Sequence, residues 1–352
     1  MTPRERVLAV LQGRKPDQVP LTIYETMFPQ CAAERVLRNA GACIIERRVP
    51  SFTKSTPNCV TETHTYHRDG HERRRTVIRT PVGEISTVDE AAGFTRWTIE
   101  RLFKGPQDYK VLRYMAEDEQ YAPNYEAYTR AEKHCGDDVL MRYGPGGIPL
   151  HVIMIHYMGV ELFAVEWMER RDEILRLERA MRESQRKAFP IVAASPITHA
   201  NLGGNLAPEV MGPPRLREFC LPFLNECAEI MHEHGKLLGS HMDANNKAWA
   251  ADLAASKLDY IEAFTPAPDT DMTLAEALEA WPDKVLWINF PSSLHLASLD
   301  VIRRTTRELI ETAAGTHRLI LGITEDMPED RWQENLLAIS EVINEMKGDG
   351  NP

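Results

Sequence analysis

Short apolar runs alternate with longer amphipathic segments along most of the chain. Apolar strands that alternate with helices indicate a parallel sheet covered on its outer face. Eight such units predict an α/β fold of the (β/α)8, or TIM, barrel type. The eight predicted strands cover residues 19–25, 42–48, 138–144, 190–199, 236–241, 258–264, 285–290 and 318–324.

One interval interrupts this rhythm. Residues 49–137 lie between the second and third predicted strands and are too many for a single βα connection. Within them, β-branched and polar residues alternate around Asp69-Gly70 and again around Pro81-Val82-Gly83, which are hairpin turn signals. We therefore predict a small antiparallel β-hairpin insert at 58–90, after barrel strand two, within a single barrel domain spanning 1–352.

Composition and charge exclude several classes of protein. Acidic residues outnumber basic ones 52 to 41, and a net charge of −11 argues against a general nucleic-acid binder. The N-terminal segment is charged from its start, and the most apolar long stretch, 148–168, carries four ionisable residues, which suits a buried helix better than a membrane span. Six cysteines without a CxxC pattern predict reduced thiols. We expect a cytoplasmic protein with no membrane partner and an oligomeric state that the sequence does not indicate.

Polar and ionisable residues gather at the ends of the predicted strands. In a barrel, the carboxyl ends of the strands and the loops after them form the working face. Side chains there are expected to converge on one mouth, since the strands run parallel. These strand-end residues are Tyr24, Glu25, Tyr143, His199, Asn201, His241, Asp243, Glu262, Asn289 and Glu325.

Four of these residues predict a metal site. His241 and Asp243 are two residues apart, which places both on the same side of an extended chain, and Glu262 and Glu325 end or follow later strands. One imidazole and two or three carboxylates can hold zinc with one position left open, as in catalytic sites. Because the set has no thiolate, manganese or iron also suit it. A His-x-Asp pair is common by chance, so the prediction depends on the combination.

Four segments resemble the uroporphyrinogen decarboxylase superfamily. Residues 2–21, TPRERVLAVLQGRKPDQVPL, resemble its first helix and strand, and 76–87, TVIRTPVGEIST, resemble the hairpin insert of its methyltransferase-like branch. Residues 201–245 are similar to its central signature, and 325–343 to its C-terminal block. The resemblance implies a barrel and one of two activities, porphyrinogen decarboxylation or cobalamin-dependent methyl transfer.

The first of these activities is disfavoured. True uroporphyrinogen decarboxylases hold a polycarboxylate with an arginine-rich segment after strand one. Here residues 21–34 contain neither arginine nor lysine. A substrate with many carboxylates needs several fixed cations, so the chain resembles the methyltransferase-like branch rather than the decarboxylases.

The methyltransferases of this superfamily place zinc at a His-x-Cys pair and a later cysteine. By resemblance, His241 matches the histidine, Asp243 stands in place of the first cysteine, and Glu325 is the candidate replacement for the later one. Glu262 is suggested by its strand position alone. The loss of both cysteines argues against transfer to a thiol of the coenzyme M type.

The sequence therefore predicts a metal-dependent methyltransferase. It would move a methyl group from an O- or N-methylated small molecule to the Co(I) corrinoid of a partner protein, with zinc or another divalent metal as Lewis acid. Glu25 or Tyr143 would supply a proton to the leaving group. The alternatives are a metal-dependent decarboxylase or lyase acting on a small acid, and a barrel without catalysis. The predicted substrate-binding residues are Tyr24, His199, Asn201 and Asn289.

Overall fold

The fold is described from a computed structural model, which covers residues 1–27, 29–92 and 95–347. The chain forms two compact units. One, the barrel unit, comprises residues 1–51, 124–145 and 192–352, and the other, the insert unit, comprises residues 52–123 and 146–191.

The strands of the described residues are short and are numbered in chain order. They are β1 (Leu21–Tyr24), β2 (Cys43–Glu46), β3 (Phe52–Ser55), β4 (Val60–Arg68), β5 (His71–Thr80), β6 (Gly83–Ala92), β7 (Thr95–Glu100), β8 (Gln120–Pro123), β9 (Val139–Met141), β10 (His199–Asn201), β11 (Leu237–His241), β12 (Tyr260–Phe264), β13 (Val285–Asn289) and β14 (Leu319–Ile323).

Helices separate most of the barrel strands. The longer α-helices are Pro3–Leu11, Ala32–Asn39, Tyr109–Asp118, Tyr125–Cys135, Val160–Glu169, Arg171–Arg186, Ala188–Ala194, Leu221–Glu233, Leu274–Ala280, Leu299–Thr312 and Trp332–Glu345. Shorter α-helical turns are Pro149–His151, Pro208–Met211, Pro213–Arg215 and Ala250–Ala254. The 3₁₀ segments are Pro106–Asp108, Lys247–Trp249 and Ser292–Leu296, and the π-helical segments are Val152–Met158 and Leu216–Cys220.

Eight parallel strands form the sheet of the barrel unit, in the order β10-β11-β12-β13-β14-β1-β2-β9. The sheet curls, and its two ends meet where Gly144 approaches Asn201 so closely that a Cβ on the glycine would lie 1.6 Å from the Asn201 carbonyl oxygen. This confirms the predicted α/β fold of the TIM-barrel type and the separate antiparallel insert.

The interior of the sheet is filled by large side chains. Tyr260 and Trp287 are fully buried and pack with Tyr24 and with Val7 and Val10 of the first helix. Gly239 of β11 makes room for the Tyr260 ring, since a Cβ there would lie 2.0 Å from it. Close packing of this kind restricts the movement of the strands, and therefore of the polar residues at their carboxyl ends.

Seven of the eight predicted strands are confirmed, with shorter bounds, and the fourth is wrong. Residues 190–199 were expected to be extended, but Ala188–Ala194 is a helix and the strand is confined to His199–Asn201. The apolar run that suggested a strand is the buried face of this helix, where Val192 and Ala193 are fully buried. Short apolar runs do not distinguish a buried strand from a buried helix.

The insert unit contains the antiparallel sheet β4-β5-β6-β7 and the pair β3-β8. Arg68 faces His71 across the first turn, where Asp69 and Gly70 have φ values of 54° and 82°. Positive φ at both central residues is typical of the tight type I′ turn that such a sequence favours. The sheet continues to Glu100, past the predicted boundary at residue 90.

The apolar stretch 148–168 is not one helix. It bends by 116° between Pro149–Met158 and Val160–Glu169, at Gly159, whose φ is 81°. In the described part of the chain no single helix is long and apolar enough to cross a membrane, although these two bent parts together reach the necessary length and composition. The stretch was also expected to be buried, yet Met168 is 84% exposed.

We predict that Gly144→Ala strongly destabilises the barrel, because the added Cβ would collide with backbone rather than with a mobile side chain. The loss in the free energy of unfolding should reach at least about 3 kcal/mol, the upper range for overpacking. Urea denaturation followed by circular dichroism measures it. Gly315→Ala is the control, since its added Cβ would meet no other atom. Only the backbone strain of an alanine at a φ of 77° should lower its stability, by about 1–2 kcal/mol. An equal loss in the free energy of unfolding in the two variants would contradict a backbone clash at residue 144.

Candidate metal centre

Neighbouring strands place His241 beside Glu262. The two residues are partners in the parallel register of β11 and β12, and His241 Nδ1 lies 2.8 Å from Glu262 Oε2. Directly after Glu262 the register of β12 shifts, and Ala263 adopts a φ of 57°. A left-handed alanine in a strand costs about 1–3 kcal/mol, and such residues cluster at functional sites.

Two further carboxylates lie near this imidazole. Asp243 follows β11, and its Oδ2 lies 3.3 Å from His241 Nε2. Glu325 follows β14, and one ligand atom from each of His241, Asp243 and Glu325 lies within 4.8 Å of the others. A single cation could therefore bind all three side chains.

Asp243 Oδ1 supports this interpretation. It is buried and has no hydrogen-bond partner. An unsatisfied buried polar atom costs about 1–3 kcal/mol, more when it is charged. A cation held by Asp243, His241 and Glu325 would satisfy it, and the donor set of one imidazole and two carboxylates fits zinc with an open position. The residues present thus fit a catalytic divalent metal.

The charges of the cluster follow from its burial and its carboxylates. Burial opposes a positive charge on His241, but Glu262 and Asp243 outweigh it and raise the pKa of His241 to about 10. Burial, and then the charge of Asp243, raises the pKa of Glu325 above its ordinary value. The same carboxylates that favour a positive charge on the imidazole would favour a cation at Nε2, where coordination replaces a proton.

Glu262 is the most enclosed carboxylate of the site, with a side chain that is 0% exposed. Its Oε1 accepts a hydrogen bond from Tyr24 and pairs with Arg142 Nη1 at 2.9 Å. Its Oε2 accepts from Asn201 Nδ2 at 3.3 Å as well as from His241. Burial raises the pKa of Glu262, but Arg142 and His241 outweigh burial and hold it well below its usual range.

The structure separates Glu262 from the other predicted ligands. It contacts His241 at Nδ1, whereas Asp243 contacts the same ring at Nε2. The sequence placed all of these residues in one ligand set, but only three of them bring ligand atoms together. The sequence by itself assigns no function to Arg142. The only feature of the sequence that could have indicated one is its position at the end of a buried strand.

The predicted catalytic residues have different surroundings. Glu25 forms an ion pair with Arg47, with Nε and Oε2 3.0 Å apart, and its side chain is only 5% exposed. The Arg47 guanidinium also lies over the Tyr24 ring, 3.4 Å from its centroid. Tyr143 is half-buried, and burial raises the pKa of its hydroxyl above its ordinary value.

The predicted substrate-binding residues do not form one surface. Tyr24 and Asn201 donate to Glu262. His199 is fully buried against the rings of Tyr260 and Trp287, and burial lowers its pKa to about 3. Its Nδ1 lies 2.9 Å from the hydroxyl of the adjacent Thr198.

Asn289, in contrast, lines a cavity of about 260 Å³ that also contains Asp243 and Glu325. Its Oδ1 accepts a hydrogen bond from the backbone N–H of Thr324 at 2.9 Å. Strand-end position alone could have indicated the remaining lining residues, because all of them lie in the segments that follow β12 and β13. They are Thr265, Asp269, Thr270 and Ser292.

Comparisons with known proteins give a fold but no family. A scan against protein-family models finds no match for this chain, and a search of curated proteins finds no significant one either. The chain is similar to the solved structure of a methyltransferase from Methanosarcina mazei, with a TM-score of 0.59 and 13% sequence identity. The match covers 99% of this chain and 100% of that chain. At this identity the likeness shows the fold alone.

We predict that Glu262→Gln lowers the free energy of unfolding by about 3–5 kcal/mol, because it leaves the buried Arg142 charge without its partner. The double variant Arg142→Met/Glu262→Gln should recover part of this loss. Urea denaturation of the metal-free protein measures both. Glu229→Gln is the control, since it breaks an exposed pair with Lys257 and should cost less than about 1 kcal/mol. A loss in Glu262→Gln no larger than in the control would argue against a buried ion pair.

Proposed function

We propose that this protein is a metal-dependent methyltransferase that takes a methyl group from a methylated small molecule and passes it to the Co(I) corrinoid of a partner protein. The observation that carries the proposal is the convergence of His241, Asp243 and Glu325 beside a polar cavity at the carboxyl ends of the strands. Barrels keep their chemistry at that end. The fold shared with a methyltransferase supports a barrel as the scaffold for methyl transfer. The cluster of possible metal ligands supports a metal-dependent reaction.

The metal would be held by His241 Nε2 and by oxygens of Asp243 and Glu325. When bound, it supplies Lewis acidity that makes the oxygen or nitrogen of the methyl donor a better leaving group. The chain provides the remaining functions. Asn289 and the hydroxyl groups of the cavity can orient the donor. Glu25 or Tyr143, neither of which is among the described lining residues, would supply the proton to the released heteroatom.

The cavity also restricts the charge of the substrate. Three carboxylates, those of Asp243, Asp269 and Glu325, belong to its lining, and no lysine or arginine is among the described lining residues. The bound divalent metal would offset the charges of Asp243 and Glu325, which leaves the carboxylate of Asp269 uncompensated. Arg142 does not change this balance, because its charge is paired with Glu262. Repulsion between like charges therefore favours a neutral or cationic donor over an anionic one.

Transfer to a reduced corrinoid balances. Co(I) would supply the electron pair for the new bond to the methyl carbon, the bond between carbon and heteroatom would break, and the heteroatom would take a proton. A corrinoid carried by a separate protein would supply this centre at the open end of the cavity. Free cob(I)alamin can take its place in an assay.

We expect the purified protein to bind one equivalent of zinc or another divalent metal and to methylate cob(I)alamin with O- or N-methylated donors. His241→Ala should abolish both metal retention and methyl transfer, because it removes the only nitrogen ligand of the cluster in the described chain. Elemental analysis measures the metal, and the absorbance change of cob(I)alamin measures the transfer. His232→Ala is the matched control, since that histidine also pairs with a carboxylate at 2.8 Å but is 39% exposed.

Other outcomes would overturn the proposal. Absence of stoichiometric metal together with methyl transfer that survives His241→Ala would remove its basis. Release of carbon dioxide from a small acid without any corrinoid would identify a metal-dependent decarboxylase instead. Among active donors, an aromatic methyl ether that bears a carboxylate should react more slowly than the same ether without it, and the opposite order would contradict the charge argument.

A further inference from the structure

We infer that Glu262 is a positioning residue rather than a metal ligand, and that Tyr24, Arg142 and Asn201 hold it in place so that His241 presents Nε2 to the metal. This inference rests on the proposed metal-dependent function and assigns a role to a buried network beneath the ligands. The network links residues from β1, β10, β11 and β12 and from the end of β9.

The hydrogen-bond capacity of Glu262 carries the inference. Oε1 has two partners, the Tyr24 hydroxyl and Arg142 Nη1, and Oε2 has two, His241 Nδ1 and Asn201 Nδ2. Each carboxylate oxygen has two lone-pair sites. Three of these positions accept hydrogen bonds from this chain, and the ion pair with Arg142 Nη1 engages Oε1 as well. Binding a metal through Glu262 would break at least one of these contacts around a carboxylate with no exposed surface, whereas Asp243 Oδ1 has no partner to lose.

The contact at Nδ1 determines what His241 can do. A hydrogen bond from Nδ1–H to a carboxylate fixes the neutral tautomer in which Nε2 carries the lone pair, and it also fixes the plane of the ring. Nε2 is the nitrogen that faces Asp243. Glu262 therefore orients the imidazole from behind, and the metal position lies on the other side of the ring.

Arg142 and Tyr24 make this arrangement stable. Arg142 is 4% exposed, donates to the Tyr24 hydroxyl through Nη2 at 3.0 Å and pairs with Glu262 through Nη1. The charge of the arginine keeps the glutamate ionised in a buried position, and the tyrosine prevents its carboxylate from rotating. Both residues act on the metal site through Glu262 and His241.

The decisive experiment measures zinc affinity by competition with a chelating dye in the full-length protein. Tyr24→Phe should weaken zinc binding about tenfold, and Glu262→Gln about 10- to 100-fold, the range found when a partner of a ligating histidine is removed. In the cobalt-substituted protein, the ligand-field spectrum should change in both variants. Tyr24→Phe keeps the test valid if Glu262→Gln does not fold.

Tyr260→Phe is the matched control. Its hydroxyl is also buried and donates one hydrogen bond, but to the Ala200 carbonyl oxygen at 2.6 Å, outside the network. A purely structural role predicts that both tyrosine variants change thermal stability and zinc affinity alike, whereas positioning predicts that only Tyr24→Phe changes the affinity. Wild-type affinity in Tyr24→Phe and Glu262→Gln, or an equal loss in Tyr260→Phe, would overturn the inference. A wild-type protein that binds neither zinc nor another divalent metal would instead refute the proposed function.

Discussion

An ionised carboxylate in the interior of a barrel is tolerated only when donors surround it, and Glu262 is surrounded by side chains from several strand ends. Its pair with Arg142 provides the opposite charge, and the hydrogen bonds from Tyr24, Asn201 and His241 use the rest of its capacity. None of these contacts is local in the sequence. The network can form only when the sheet has its native strand order. The contacts that stabilise the buried charge of Glu262 therefore connect the curled sheet to the geometry of the site.

His241 connects this network to the cavity. One of its nitrogens faces a carboxylate with no exposed surface, and the other faces Asp243, whose side chain is 13% exposed. The two sides of the ring thus have different surroundings: the enclosed carboxylate of Glu262 and its partners behind it, and a partly open cluster with the unpartnered Asp243 Oδ1 in front. A metal site needs both, because ligands must be held rigidly and one position must remain accessible. The left-handed Ala263, beside Glu262, places local backbone strain at the same point.

Much of the fold could be predicted from the sequence because barrel strands are short, apolar and separated by helices, a pattern that depends on neighbours along the chain. The fourth strand was misplaced for the same reason, since a buried helix and a buried strand both produce a run of apolar residues when they are short. The convergence of His241, Asp243 and Glu325 followed from their positions after parallel strands. The contacts of Glu262 could not be predicted in this way, because the position of a residue on a strand indicates where its side chain lies but not which donors contact its oxygens.

The sequence by itself determined the alternation of strands and helices, the interval that holds the antiparallel insert and the collection of ionisable residues at one end of the sheet. These features depend on periodicity and on local turn chemistry, which a chain carries before it folds. Only the tertiary structure decided that Glu262 lies behind His241, that Arg142 neutralises it and that Asp243 keeps an unpartnered oxygen. The reason is that hydrogen bonds have short reach and strict direction, and residues as far apart as Tyr24 and Glu262 meet only once strand order and register are fixed.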